Sequence, residues 1–137
     1  MNKHILTLML IGFVTITFAQ SELQNLTIEN LSNPIGIGVK TPCFSWQLVS
    51  NKRDVKQTAY EIQVKQENNV VWSSGKVASE TSVFNKYLGL PLFSNAKYIW
   101  KVRVWDNQGH TSKWSTASFA TALLNASDWK ASWISSG

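Results

Sequence analysis

The clearest alternation of apolar and polar positions in this chain runs through Lys97-Tyr98-Ile99-Trp100-Lys101-Val102-Arg103-Val104-Trp105-Asp106. Successive side chains of a strand point to opposite faces, so Tyr98, Trp100, Val102 and Val104 share one face and Lys97, Lys101 and Arg103 the other. The pattern predicts a strand with a buried face of aromatic and β-branched residues and a wet, basic one. Asp106-Asn107-Gln108-Gly109-His110-Thr111 then supplies turn residues, which predicts a hairpin.

The same period recurs along the chain. Leu26 and Ile28 alternate with Thr27 and Glu29 in a first edge strand between Ser21 and Asn30, which Asn33-Pro34 breaks. Phe44, Trp46 and Leu48 alternate with Ser45, Gln47 and Val49. Tyr60, Ile62 and Val64 alternate with Glu61, Gln63 and Lys65. Glu67-Asn68-Asn69 is a turn cluster that predicts a hairpin onto the short strand Val70-Val71-Trp72-Ser73. A weaker strand is expected from Val83-Phe84 toward Tyr87, and the last from Trp114 to Thr121. No segment keeps a helical apolar spacing for three turns. About seven short, turn-separated strands predict an all-β chain folded as an antiparallel β-sandwich.

The first nineteen residues do not share this pattern. Lys3, the apolar run Ile5 to Phe18 and the small residue Ala19 read as a secretory signal peptide cleaved before Gln20. The run is shorter than the ~20 residues a bilayer span needs, and Thr15 and Thr17 interrupt it. The expected destination is therefore secreted or periplasmic, with no membrane partner once the leader is removed. The rest is enough for one domain. Its single cysteine, Cys43, cannot form an internal disulfide, so stability must come from the core, and the thiol reads as a small packed side chain. The net charge of +5 includes Lys3 and is spread along the chain. The basic face of Lys97, Lys101 and Arg103, with Trp105, reads as a solvated sheet surface, and export argues against nucleic acid as a partner.

Leu92, followed six positions later by Tyr98 at the head of the penultimate strand, resembles the tyrosine corner of fibronectin type III domains. Trp46 and Tyr60 fit the core pattern of that fold. The fold expected is thus a fibronectin type III-like (immunoglobulin-like) sandwich over residues 20–121, after the signal peptide at 1–19. More narrowly, several collinear runs resemble the amino-terminal module of bacterial α-L-rhamnosidases of glycoside hydrolase family 78. They are Asn33-Pro34-Ile35-Gly36-Ile37, Pro42-Cys43-Phe44-Ser45-Trp46-Gln47-Leu48, Gln57-Thr58-Ala59-Tyr60-Glu61-Ile62, Trp72-Ser73-Ser74-Gly75-Lys76-Val77, Tyr98 to Asp106, and Asp128 to Ile134. In that family the segment similar to Asp128 to Ile134 leads into a carbohydrate-binding sandwich and later an (α/α)-barrel catalytic domain. The resemblance implies a non-catalytic module that supports and orients the downstream domains of an exported enzyme. Residues 122–137 are then a linker into a downstream domain that this chain lacks.

The chemistry-bearing residues agree with a chain that is not itself an enzyme. Inverting glycosidases place two carboxylic acids roughly 6.5 to 9.5 Å apart across a sugar pocket. Glu22, Glu29, Asp54, Glu61, Glu67, Glu80, Asp106 and Asp128 instead fall in loops, near strand ends or on wet faces, so no catalytic residue is assigned. His110 sits in a turn, His4 leaves with the leader, and Gly36-Ile37-Gly38 lacks the third glycine and helix of a phosphate loop, so neither a metal nor a cofactor is expected. Seven tryptophans raise a second reading, a free-standing carbohydrate-binding module with rhamnose-containing glycans as partners. Alternation assigns Trp46 and Trp100 to the core. Trp72, Trp105, Trp114, Trp129 and Trp133 remain as candidates for sugar stacking or domain docking, with Trp105 and Trp114 explicable as a cross-strand pair flanking one hairpin.

Overall fold

The computed structural model describes residues 21–130 and Gly12, so the rest of the leader, its cleavage position and Trp133 lie outside the described residues. Seven strands follow one another: β1 (Glu22–Ile28), β2 (Cys43–Val49), β3 (Gln57–Gln66), β4 (Asn69–Ser73), β5 (Asn85–Lys86), β6 (Lys97–Asp106) and β7 (Ser115–Ala120). They form a three-stranded sheet of order β1-β2-β5 facing a four-stranded sheet of order β4-β3-β6-β7, with every named strand pair antiparallel. This is the immunoglobulin-like sandwich that the alternation and the tyrosine corner predicted.

The core lies between the two inner faces. Phe44 and Trp46 of β2 meet Ile62 and Val64 of β3 and Trp100, Val102 and Val104 of β6, all of them buried. The Phe44 ring lies 4.7 Å from that of Trp100 and 6.3 Å from that of Phe119, and Tyr98 stacks on Phe119 at 5.1 Å. Each such side chain removed from water is worth about 1.5–3 kcal/mol, so these aromatics dominate what holds the sheets together.

The loose alternation of β1 has a local cause. Its register against β2 shifts between Gln24 and Thr27, where Asn25 adopts a positive φ of 49°. The bulge adds one residue, so Leu23 on one side of it and Leu26 and Ile28 on the other face the same core. The weak strand expected from Val83-Phe84 toward Tyr87 forms only at its centre, where Asn85 and Lys86 pair with β2; Val83 and Phe84 are exposed, and Phe84 has a φ of 54°.

The free edge of β7 is covered by the β1–β2 connection. The Ala120 N–H donates to the Pro34 carbonyl, and Ile37 pairs in parallel with Thr121. That cover satisfies backbone groups which would otherwise be open to another chain.

Candidate docking and stacking surfaces

Trp72 is drawn into the core. Cross-strand pairing with Val64 turns it inward, where it meets Tyr87 edge-to-face at 5.0 Å and stacks on Phe44 at 6.3 Å. Gly89 is required beside it, because a Cβ there would lie 2.5 Å from Tyr87 Cζ and 2.9 Å from Trp72 Cβ. The ring is therefore a packing element.

Trp105 and Trp114 belong to a ladder on the outer face of the four-stranded sheet. Alternation along β6 places Lys101, Arg103 and Trp105 on that face. The Arg103 guanidinium lies over both rings, 5.0 Å from the centroid of Trp105 and 4.6 Å from that of Trp114. Lys76 adds a second cation over Trp105 at 4.6 Å, and Lys101 a second over Trp114 at 4.3 Å. The two rings are thus joined through Arg103 rather than forming the cross-strand pair expected from their positions. Glu61 on β3, opposite Arg103, accepts from Nε and Nη2 at 2.9 and 2.7 Å. Two cations on each ring compete with a sugar for the same π faces.

Four of the acidic side chains, Asp106, Glu29, Glu61 and Asp128, are engaged in local structure. Asp106, with its side chain buried, caps the β6–β7 hairpin: its Oδ1 accepts from the N–H groups of Gln108 and His110 at 2.8 and 2.9 Å. Burial alone would raise its pKa, but those bonds and the neighbouring His110 outweigh it and hold the carboxyl below its ordinary value. Glu29 Oε1 accepts from the Cys43 N–H at 2.6 Å. Burial first, and Glu29 second, push the Cys43 thiol upward, away from the thiolate that a nucleophile requires. No three His, Cys, Asp or Glu side chains among the described residues are grouped to hold a metal. A groove of about 500 Å³ at the end of β2 is lined by Trp46, Leu48, Val49, Val55, Gln57 and Val83. Its buried amide, Gln57, is fully committed inward, accepting from Trp46 Nε1 and donating to the carbonyls of Ser79 and Thr81.

The segment after β7 is fastened to the module. Ala122 donates to the Ile37 carbonyl and accepts from the Asn95 N–H, and Leu124 packs against the core. The Ser94 hydroxyl accepts from the Leu124 N–H at 2.8 Å and donates to Asp128 Oδ2, which also accepts from the Asn125 N–H at 3.0 Å. This latch joins the β5–β6 loop to the exit of the chain, and Trp129 stands just beyond it, 68% exposed. Sequence alternation could not find the latch, because it links two irregular segments thirty-four residues apart.

Comparison with known proteins fits this geometry. The family described as Rha78A-like, N-terminal immunoglobulin domain, matches residues 23–125. The chain belongs to that family. It is 39% identical over 115 residues to an α-L-rhamnosidase of Streptomyces avermitilis, covering 80% of this chain and 11% of that one. An α-L-rhamnosidase of Formosa agariphila is 40% identical over 121 residues, covering 82% of this chain and 13% of the relative. The crystal structure of the Streptomyces avermitilis enzyme complexed with L-rhamnose superposes with a TM-score of 0.80 at 36% identity, over 85% of this chain and 12% of that one. The α-L-rhamnosidase structure from Dictyoglumus thermophilum gives 0.78 at 37% identity, over 88% and 14%. This Rha78A-like immunoglobulin domain therefore spans about an eighth of the length of such relatives, and its matched region runs from β1 through Ser94 to Asn125 of the latch.

Proposed function

We propose that this chain is the non-catalytic amino-terminal module of an exported α-L-rhamnosidase, and that it supports and orients the domains that follow. The whole enzyme would hydrolyse terminal α-L-rhamnosides. The observation that carries the reading is the latch. A module that fixes its own exit segment through Ser94, Asp128 and Asn125 dictates the direction in which the chain leaves, which a free-standing binding module has no need to do. The acidic residues support the reading too, since Asp106, Glu29, Glu61 and Asp128 are occupied in turns, ladder and latch. Export is supported by the leader-like sequence of residues 1–19, and no helix among the described residues is long and apolar enough to cross a membrane.

The test offers the purified chain a nitrophenyl α-L-rhamnoside and, by calorimetry, L-rhamnose. No nitrophenol release and no heat of binding are expected. Release abolished by mutation of an acidic residue would make the module catalytic, and saturable binding lost on Trp129→Ala would favour the carbohydrate-binding reading.

A further inference from the structure

The β5–β6 loop, residues 87–96, presents large apolar side chains to water while its backbone is held rigid. Leu88, Leu90 and Phe93 are 78%, 79% and 67% exposed. Yet the Tyr87 hydroxyl donates to the Leu90 carbonyl at 2.7 Å, the Phe93 N–H donates to the Tyr98 hydroxyl at 2.8 Å, and the Thr121 hydroxyl donates to the Phe93 carbonyl at 2.5 Å. Gly89, between the two leucines, approaches Tyr87 and Trp72 too closely for any side chain. A mobile loop could fold its leucines inward; this one is pinned with them outward. Leu123 and Trp129 are exposed on the exit segment that the Ser94–Asp128 contact fastens to this loop, and Leu90, Phe93 and Val70 line a groove of about 310 Å³. Rigid exposed apolar surface of this kind marks an interaction site, because little ordering entropy remains to be lost when it is covered.

We infer that Leu88, Leu90 and Phe93, with Leu123 and Trp129, form the seat on which the domain following this module packs. This rests on the proposed supporting role and names the surface that would perform it. The occupant follows from position. In the family the immunoglobulin domain is amino-terminal and amounts to 11–13% of the length of the relatives cited above, so a large remainder of the enzyme succeeds it. The exit segment reaches this pole of the sandwich and is latched to Ser94, the residue after Phe93, so the chain leaves the module from this loop.

The experiment replaces the amino-terminal domain of the Streptomyces avermitilis enzyme with residues 21–137 of this chain. It compares amide exchange in the fusion and in the free chain. Peptides covering residues 87–96 should exchange at least about tenfold more slowly in the fusion, as expected for a surface covered by a stable contact. The triple variant Leu88→Ser, Leu90→Ser, Phe93→Ser should abolish that protection, whereas Val49→Ser with Val83→Ser, at the opposite pole, should leave it intact. The free triple variant should keep its melting temperature, since the three side chains are exposed. Protection of the module elsewhere but not at 87–96 would overturn the seat and leave the supporting role standing. Independent melting of module and host, with no protection anywhere, would overturn the role itself. Protection appearing in the free chain as its concentration rises would make a second copy the occupant and overturn the inference.

Discussion

The Tyr98 hydroxyl accepts a hydrogen bond from the Phe93 backbone N–H at 2.8 Å, so the ring that begins β6 also closes the loop leading into it. Leu92, buried beside it, completes the tyrosine corner. Tyr98→Phe keeps the stacking on Phe119 and removes only this acceptor. It should cost about 1–2 kcal/mol, the usual effect of stranding one partly buried donor. The midpoint of urea unfolding measures it, and an unchanged midpoint would mean that the loop does not depend on the corner.

Trp46 and Trp100 face each other's sheets, but their indole N–H groups differ. Trp46 Nε1 donates to Gln57 at 2.9 Å, whereas Trp100 Nε1 is buried with no partner among the described residues. Replacement of either ring by Ala should cost about 3–5 kcal/mol through the cavity left behind. Replacement by Phe should separate them. At position 46 it strands the buried Gln57 carbonyl, while at position 100 it removes an unsatisfied donor, so Trp46→Phe should be the more destabilising by about 1–2 kcal/mol. Equal midpoints for the two Phe variants would show that the Gln57 contact contributes nothing.

These two rings also show how far the sequence could be read. Period-2 alternation placed both in the core, because register along one strand depends only on neighbours in that strand. The bulge at Asn25 escaped it, since a positive φ at an asparagine leaves no mark on hydrophobicity until the phase on either side is compared. On the outer face, Lys101, Arg103 and Trp105 were legible as one side of β6. That Trp114 and Lys76 complete their ladder depends on the pairing of β6 with β7 and on the path of the chain after β4, which no local pattern encodes. Val70-Val71-Trp72 is a continuous apolar run with no alternation, so only its register against Val64 decides which way Trp72 points.

Arg103 is the centre of the outer ladder and the partner of Glu61, whose side chain is only 13% exposed. Arg103→Ala removes both roles and leaves a largely buried carboxylate without its ion-pair partner. The expected cost is about 1–3 kcal/mol, accompanied by a change in tryptophan fluorescence as two rings lose a cation. Arg103→Lys should recover only part of it, because an ammonium cannot make the forked contact with Glu61 while also reaching over two rings. Full recovery of the midpoint and emission spectrum by lysine would reduce the ladder to simple charge.

The latch at the exit predicts a pH response confined to one segment. Asp128 Oδ2 accepts from the Ser94 hydroxyl and the Asn125 N–H, and these bonds, Ser94 first, hold its carboxyl below its ordinary value of 3.8. A carboxyl whose folded pKa is depressed contributes its full stabilising effect above its unfolded value and loses it as pH falls through the folded one. The latch should therefore be complete at neutral pH and loosen below about pH 4, near the unperturbed aspartate range. Protection factors for the amides of Leu124 and Asn125, corrected for the intrinsic pH dependence of exchange, should fall in that window. Protection within Tyr98 to Val104 should not change. Asp128→Ala should reproduce the loosened state at neutral pH and remove the response below pH 4, whereas Ser94→Ala, which keeps the Asn125 contact, should loosen the segment at neutral pH and leave a smaller response. Asp128→Asn should keep the contact with Ser94 in weakened form and titrate no further. Asp106, the other carboxyl held low, caps a hairpin at the opposite end, so loss of protection at Gln108 and His110 over the same window is separable by position. A uniform loss of protection across the chain would instead mean that acid unfolds the sandwich as a whole and that the exit segment has no latch of its own.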